Sequence, residues 1–342
     1  MTVIFSRKSV IWVLVMLLLG CDRQFAPEAM FDAYIQDLNR SAHVQIDVAP
    51  EMTLQALPAL RERQQALSQF DVGLLEFLSL QQCEVGALAG QRNSILGRVM
   101  PASQRFVYEL DIIRAIRQCD IEDSELHSKL NDVARVKASE LPITLSNLLW
   151  AGEETGAFFS LSNGYLPMAP ERSQYQALIA ALQHLQRLND NLADIPKVSS
   201  AAIEADMQAI YESEYLGKLL YSITHISAYL ESVTQAVQGV SEQSDMCGAP
   251  LTFLRQQFER HYIDLLQPYM ARINRAAYQV LPLVNKLADS SPIQSEAWRS
   301  FIQQFDDQQA NAPWQRYLRA SREHGQAWSR LFALCGEGVG AR

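Results

Sequence analysis

From Pro27 to Leu334 the apolar residues recur at steps of three and four, the period of helices with one buried face. Pro27 suits the first position of a helix, after which Met30, Phe31, Tyr34, Ile35 and Leu38 share a face. Val44, Ile46 and Val48 alternate instead, but this stretch is short and has no strand partner in view. The pattern predicts further helices over about 57–82 and 84–99, the latter stopping before Pro101. Ser103 is a suitable N-cap for a helix reaching Cys119. Another helix starts near Asp123 or Ser124, and Pro142 divides it from Ile143–Trp150.

Gly152 to Pro170 interrupts the periodicity with three glycines and two prolines, and reads as a long loop. It would join two lobes, 27–151 and 171–335, of one helical domain. In the second lobe Leu178, Leu182, Leu185, Leu188 and Leu192 mark a helix ended by Pro196. From Ala201 to Gln238 a seam of Ile203, Met207, Ile210, Leu216, Leu219, Ile223, Ile226, Leu230, Val233 and Val237 predicts one rod of roughly 55–60 Å, at about 1.5 Å per residue. A long helix follows Pro250, with bends at Pro268 and Pro282. Ser295 caps a helix over 296–311, and the last helix runs from Pro313 to Leu334. A short Gly-rich tail, 336–342, closes the chain. The expected fold class is therefore all-α: an elongated multi-helix bundle with long antiparallel helices in its C-terminal half. No repeat of 20–50 residues is visible, which argues against a solenoid.

Residues 1–20 follow a different logic. Arg7 and Lys8 precede ten unbroken apolar residues, Val10–Leu19. A membrane-spanning helix needs about 20, so the run reads as a signal peptide. Its end, Leu18-Leu19-Gly20-Cys21, resembles the lipobox of bacterial lipoproteins. That resemblance implies cleavage before Cys21 and lipidation of Cys21, with several acyl chains giving a stable anchor. Residues 21–26 form the lipidated cysteine and a short tether. At about 3.3–3.6 Å per extended residue the domain would lie on the order of 20 Å from the lipid. The expectation is a cell-envelope protein facing the periplasm and held at the membrane. Asp22 resembles an inner-membrane retention signal, while Arg23 after it weakens that signal, so inner and outer membrane stay open.

The formal net charge of −9 works against a nucleic-acid partner. Export also changes how the cysteines read. Cys83, Cys119, Cys247 and Cys335 are even in number, which in an oxidising compartment suggests disulfides. Three connectivities are possible. The favoured one is Cys83–Cys119, which flank two consecutive helical segments, with Cys247–Cys335 fastening the last helix. No CxxC occurs, so neither a thioredoxin-like motif nor a zinc ribbon is supported.

The segment Arg92-Asn93-Ser94-Ile95-Leu96-Gly97-Arg98-Val99-Met100, followed by Tyr108-Glu109 and bracketed by Cys83 and Cys119, resembles an uncharacterised family of lipoproteins of Gram-negative bacteria. The resemblance is most specific over Leu75–Cys119. It implies a mostly helical exported domain on a lipid anchor, and it carries no activity, substrate or catalytic residue.

Standard catalytic signatures are missing: no HExxH, GxSxG, P-loop or SxxK occurs, and the six histidines have no ligand spacing. No cofactor or metal is expected, and an enzyme is the least favoured reading. Two constellations remain. Arg92, Asn93, Ser94, Arg98 and Glu109 concentrate polar groups in an apolar helix pair, and Arg92 would meet Glu109 if the helices pack antiparallel. They form either a pocket for an anionic group or a structural network. Tyr211, Tyr215, Lys218, Tyr221, His225 and Tyr229 share a helical face. That face suits contact with an envelope protein, glycan or lipid, provided the rings are exposed. An interaction or scaffold module is thus the first reading. A carrier of small ligands, lipids or glycans in a cavity between the lobes is the alternative.

Overall fold

The helix Tyr215–Val240 is buried around nearly its whole circumference, and the fold is arranged about it. In a computed structural model, which describes residues 26–48, 52–70, 73–169, 172–240 and 246–336, all regular structure among those residues is helical. The helices are α1 (Ala26–Leu38), α2 (Leu74–Leu80), α3 (Glu84–Asn93), α4 (Ile95–Arg98), α5 (Ala102–Gln118), α6 (Ser124–Ser139), α7 (Leu141–Trp150), α8 (Glu153–Phe158), α9 (Arg172–Asp190), α10 (Ser200–Ser213), α11 (Tyr215–Val240), α12 (Ala249–Gln257), α13 (Gln267–Asp289), α14 (Glu296–Ile302) and α15 (Pro313–Leu334). A π-helical stretch, Phe258–Leu266, joins α12 to α13. The segment expected to be a signal peptide, Cys21 and the tail from residue 337 lie outside the described residues.

The all-α class expected from the periodicity is the class observed. A helix buried on all sides must hide its polar side chains as well as its apolar ones. In α11 the hydroxyls of Ser222, Thr224, Ser227, Ser232 and Thr234 each donate to the carbonyl four residues back, at 2.6–2.9 Å. α15 packs along α11, with Arg316 bonded to Glu231 through two nitrogens. The α12–π–α13 run returns antiparallel to α15: Phe258 meets Trp328 and Phe332, Tyr262 meets His324, and Tyr278 meets Trp314. α1 closes this group through two hydrogen bonds, Tyr229 to Asp32 and His261 to Asp37, each 2.8 Å long. On the other side α9 packs on α10 and α13, and α10 reaches α5. α5 carries α3, α6 and α7.

Several boundaries depart from the expected ones, each for a physical reason. The single rod over 201–238 is two helices, because Glu214 adopts a left-handed conformation with φ 46°. The expected helix over 57–82 shrinks to the turn Leu60–Arg63 and to α2. Over 64–70 the backbone forms no helix and is bonded by distant side chains: Asn147 pairs with both backbone groups of Gln65, and Glu140 accepts from Ser68. Val44 and Ile46 are buried in an extended segment whose backbone is held by the Asn39 side chain, with no strand formed. The helix expected over 296–311 ends at Ile302, followed by a 3-10 turn. Pro142 opens α7, and Pro268 opens α13 directly after the π stretch. A proline there removes one backbone donor and crowds the preceding turn, which a wider π turn accommodates.

The expected loop 152–170 is instead α8 and the 3-10 turn Leu161–Asn163, packed into the core. Phe158, Phe159, Tyr165 and Leu166 are all buried. Its Ser160 backbone lies so close to α11 that a Cβ at Gly217 would overlap it. Further along, Leu166 donates its N–H to Ser222 and accepts from the Tyr269 hydroxyl, at 2.8 and 2.7 Å.

Both favoured disulfides form. Cys83–Cys119 ties the start of α3 to the end of α5, and Cys247–Cys335 ties the start of the α12 region to the end of α15.

Candidate functional site

The tyrosine face does not survive folding as a surface. Tyr211 lies on α10 and is exposed, but the break at Glu214 places Tyr215 on a different helix, fully buried. Tyr229 is buried as well, stacked on Phe31 and bonded to Asp32. His225 is buried, stacked on Tyr221 and bonded to the Tyr221 carbonyl. Tyr221 in turn meets the edge of Tyr165. Lys218 pairs with Glu214. Tyr215, His225 and Tyr229 are core, because α11 has neighbours on that side, while Lys218 and Tyr221 are half-buried. Contrary to expectation, Tyr215, His225 and Tyr229 offer no contact surface.

The polar set around Arg92 has a different outcome. Arg92, Asn93 and Ser94 border a cleft of about 1150 Å³ between α3, α5, α6 and the segment 68–70. The cavity therefore lies within the first lobe, not between lobes as expected. The apolar wall includes Phe77, Leu80, Val85, Ile112, Ile116, Leu126, Leu130, Val133 and Val136. The polar wall includes Arg92, Asn93, Ser94, Arg105, Tyr108 and Lys137, with Lys129 and Asp132 on α6. Clefts of this size with an apolar lining and a few grouped polar side chains are the usual form of small-molecule sites.

Glu109 sits behind that wall, buried on α5. Contrary to expectation its hydrogen-bonded partners do not include Arg92. Its Oε1 is 2.6 Å from Arg105 and its Oε2 accepts from Lys137 Nζ at 2.7 Å. The Arg105–Glu109 pair follows from i,i+4 spacing on one helix, which the sequence displayed. Lys137 comes from α6, and nothing in the local pattern announced it. Lys137 also lies over the rings of Phe70 and Tyr108, and Arg105 over Tyr108.

Arg92 stands near this group. Its guanidinium is held below the usual arginine range, first by burial and then by the like charge of Arg105. Burial, then the Glu109 charge, pushes the Tyr108 hydroxyl up to about 12, so it stays a neutral donor. One buried carboxylate thus faces Arg92, Arg105 and Lys137, leaving an excess of positive charge beside an apolar wall.

The residues Arg92, Ser94 and Gly97 also have a structural task. Arg92 Nη1 donates to the Gly97 carbonyl, Ser94 Oγ donates to the Gln91 carbonyl at 2.7 Å, and Gly97 N–H donates to Ser94 Oγ at 3.0 Å. Together they knot the junction of α3 and α4. A Cβ at Gly97 would overlap the carbonyls of Gln91 and Arg92. Asn93 and Ser94 are exposed at the cleft edge, and the Arg98 side chain lies outside the described residues.

A second polar group is buried under α1. His324 lies between the hydroxyls of Tyr34 and Thr234, at 3.3 and 3.4 Å. Burial lowers its pKa to about 3, so the ring is neutral. Among the described residues no group of His, Cys, Asp and Glu is arranged to hold a metal ion, and no helix is long and apolar enough to cross a membrane.

Comparison with curated proteins and with solved structures finds no match. The profile of one family, described as "Protein of unknown function (DUF3080)", matches residues 31–338, which takes in both lobes and the cleft. The chain belongs to that family.

Proposed function

We propose that this protein binds an amphiphile with an anionic headgroup, such as a fatty acid or a lysophospholipid, in the α3–α5–α6 cleft. The observation that carries this reading is the meeting of Arg92, Arg105 and Lys137 around the single carboxylate of Glu109, beside a wall of aliphatic side chains. Positive groups crowded in a partly buried site repel one another, and a bound anion relieves that repulsion. Tyr108 supplies a neutral donor to the same headgroup, while the Leu126–Val136 face of α6 takes the acyl chain. The burial of Tyr215 and Tyr229 removes the surface on which a scaffold role rested.

The resemblance of Leu18–Cys21 to a lipobox supports a location for this activity in the cell envelope, with lipidation at Cys21. Lipidation and ligand binding are tested separately. For the first, Cys21→Ser abolishes incorporation of labelled fatty acid; equal labelling of the variant refutes the anchor. For the second, a conjugated polyene fatty acid that fluoresces in apolar surroundings is titrated into the purified protein. Binding is expected to saturate at one site. Val133→Trp, which fills the apolar wall, and Lys137→Met, which removes a headgroup contact, each weaken it by about tenfold or more, equal to about 1.4 kcal/mol. Binding unchanged in both variants overturns the reading.

A further inference from the structure

The cations around Glu109 exceed what its carboxylate balances. Among the described residues, Arg92, Arg105, Lys129 and Lys137 line the cleft, against Asp132 in the lining and Glu109 behind it. Lys129 and Asp132 are exposed on α6 and offset each other. Arg105 and Lys137 share Glu109, whose charge offsets one of them. Arg92 makes no ion pair with a described carboxylate. Its bond is to the Gly97 carbonyl, which accepts a hydrogen bond but leaves the charge in place. Glu140 is outside the lining, with both oxygens bonded to Ser68. Two positive charges in the cleft therefore have no counter-charge in the chain, and they repel each other.

The donors agree with the charges. The Arg105 Nε–H is buried and has no acceptor. A charged donor without an acceptor in a partly buried site costs free energy, which a ligand oxygen recovers. Lys137, more than nine-tenths buried, has three N–H groups, and Glu109 takes one of them. The neutral Tyr108 hydroxyl adds a further donor to the lining. Arg92, Arg105 and Lys137 stand on α3, α5 and α6, so the charged donors come from three helices. A carboxylate brings one charge and two oxygens in a plane, and a phosphodiester brings one charge. A phosphate monoester brings three terminal oxygens and a charge near −2 at about pH 7. Only the last matches both the uncompensated charge and a three-sided set of donors.

We infer that the cleft selects single-chain lipids whose headgroup is a phosphate monoester, such as a lysophosphatidic acid, over carboxylates and phosphodiesters. The inference rests on the reading of the cleft as an amphiphile site and names the headgroup that the site prefers.

Titration calorimetry on the purified protein tests this without a bound probe. Lauroyl lysophosphatidic acid, its phosphate methyl ester, laurate and glycerol 3-phosphate are compared at about pH 7, each below the concentration at which it forms micelles. The lysophosphatidic acid is expected to bind at least about tenfold more tightly than each of the others. The methyl ester keeps the chain and loses one charge. If it or laurate binds equally well, the headgroup charge is not read: the inference falls and the amphiphile reading stands. If no lipid binds, that reading fails and takes the inference with it. Glycerol 3-phosphate has the dianion and no chain; binding as tight as that of the lipid shows a site for free phosphate esters and overturns the inference. Near pH 5 the second proton, with a pKa of about 6, returns to the phosphate. No histidine lines the cleft, so the advantage over the methyl ester is expected to fall at least about fivefold with the ligand's own proton. An unchanged advantage overturns the inference. Arg92→Gln is expected to weaken the lysophosphatidic acid about tenfold and its methyl ester by less than about threefold, with Arg92→Lys restoring the preference. Equal losses for the two lipids overturn the charge match.

Discussion

Lys137 and Glu109 lie 28 positions apart on different helices, yet their charged atoms meet at 2.7 Å with both side chains buried. This pair joins α6 to α5 beneath the cleft. Its asymmetry is informative, because Glu109 serves Arg105 as well. Removing one member of a buried pair leaves the other uncompensated, at a cost of about 3–5 kcal/mol. Glu109→Ala strands cations on both sides, whereas Lys137→Met leaves Glu109 with Arg105. Urea unfolding of the two variants is expected to show the glutamate variant as the less stable. Equal midpoints would count against a shared carboxylate.

Gly217 and Gly325 are both helical glycines, and they predict opposite outcomes. A methyl group at 217 overlaps the Ser160 backbone, so Gly217→Ala is expected to cost about 2 kcal/mol or more by pushing the 153–166 segment off α11. At 325 the added methyl meets nothing. Gly325→Ala is therefore expected to stabilise by about 0.4–1 kcal/mol through the lower entropy of the unfolded chain. Thermal melts of the pair check the contrast in sign.

His324 sets a dependence on pH. Its folded pKa, about 3, lies below the ordinary histidine value, so the native state favours the neutral ring. Its contribution to stability is complete above about pH 6.5, and is lost as pH falls from there towards 3, at up to ~1.4 kcal/mol per pH unit. His324→Gln is expected to flatten the fall in urea midpoint between pH 6.5 and 4, compared with the unsubstituted protein. An unchanged slope would falsify the assignment of that proton to His324.

The two disulfides differ in what they hold. The chain-entropy relation gives about 4 kcal/mol for closing 36 residues and about 5 kcal/mol for closing 88. Cys247→Ser with Cys335→Ser is therefore expected to lower the midpoint of global unfolding more. Cys83→Ser with Cys119→Ser loosens α3 against α5 and is expected to weaken fatty-acid binding at full helicity. Circular dichroism beside the fluorescence titration distinguishes the two effects.

The helical class was legible because Leu, Ile and Val recur on helical faces from α1 to α15, a signal that survives errors at the ends of elements. Both cysteine pairings followed from the even count and from the helical segments that the cysteines flank. The long seam over 201–238 misled for one reason: Ile210 and Leu216 keep the apolar rhythm across a backbone reversal at Glu214 that no residue type forces. The tyrosine face failed because periodicity reports which residues share a side, never whether that side meets water. Residues 152–170 look like a loop by glycine and proline content, but Phe158, Phe159, Tyr165 and Leu166 supply enough apolar surface to bury it. Arg92, Asn93 and Ser94 were visible as a polar cluster. Lys137 was not, because its partner is brought to it only by the packing of α6 on α5.

The contact between Tyr34 and His324 spans 290 residues, and it joins the first described helix to the last. Chains emerge from synthesis N-terminus first, at about 5–20 residues per second. The Tyr34 hydroxyl therefore waits roughly 15–60 s for His324. The same holds for α11, whose lengthwise neighbour α15 is made last. Until then the flank of α11 that α15 covers stays open, and a chain cut short before residue 313 exposes that flank and leaves the Tyr34 hydroxyl without His324. Completion of the chain, more than any local element, is the event that commits this protein to its fold, and truncated chains are expected to be targets for chaperones and proteases.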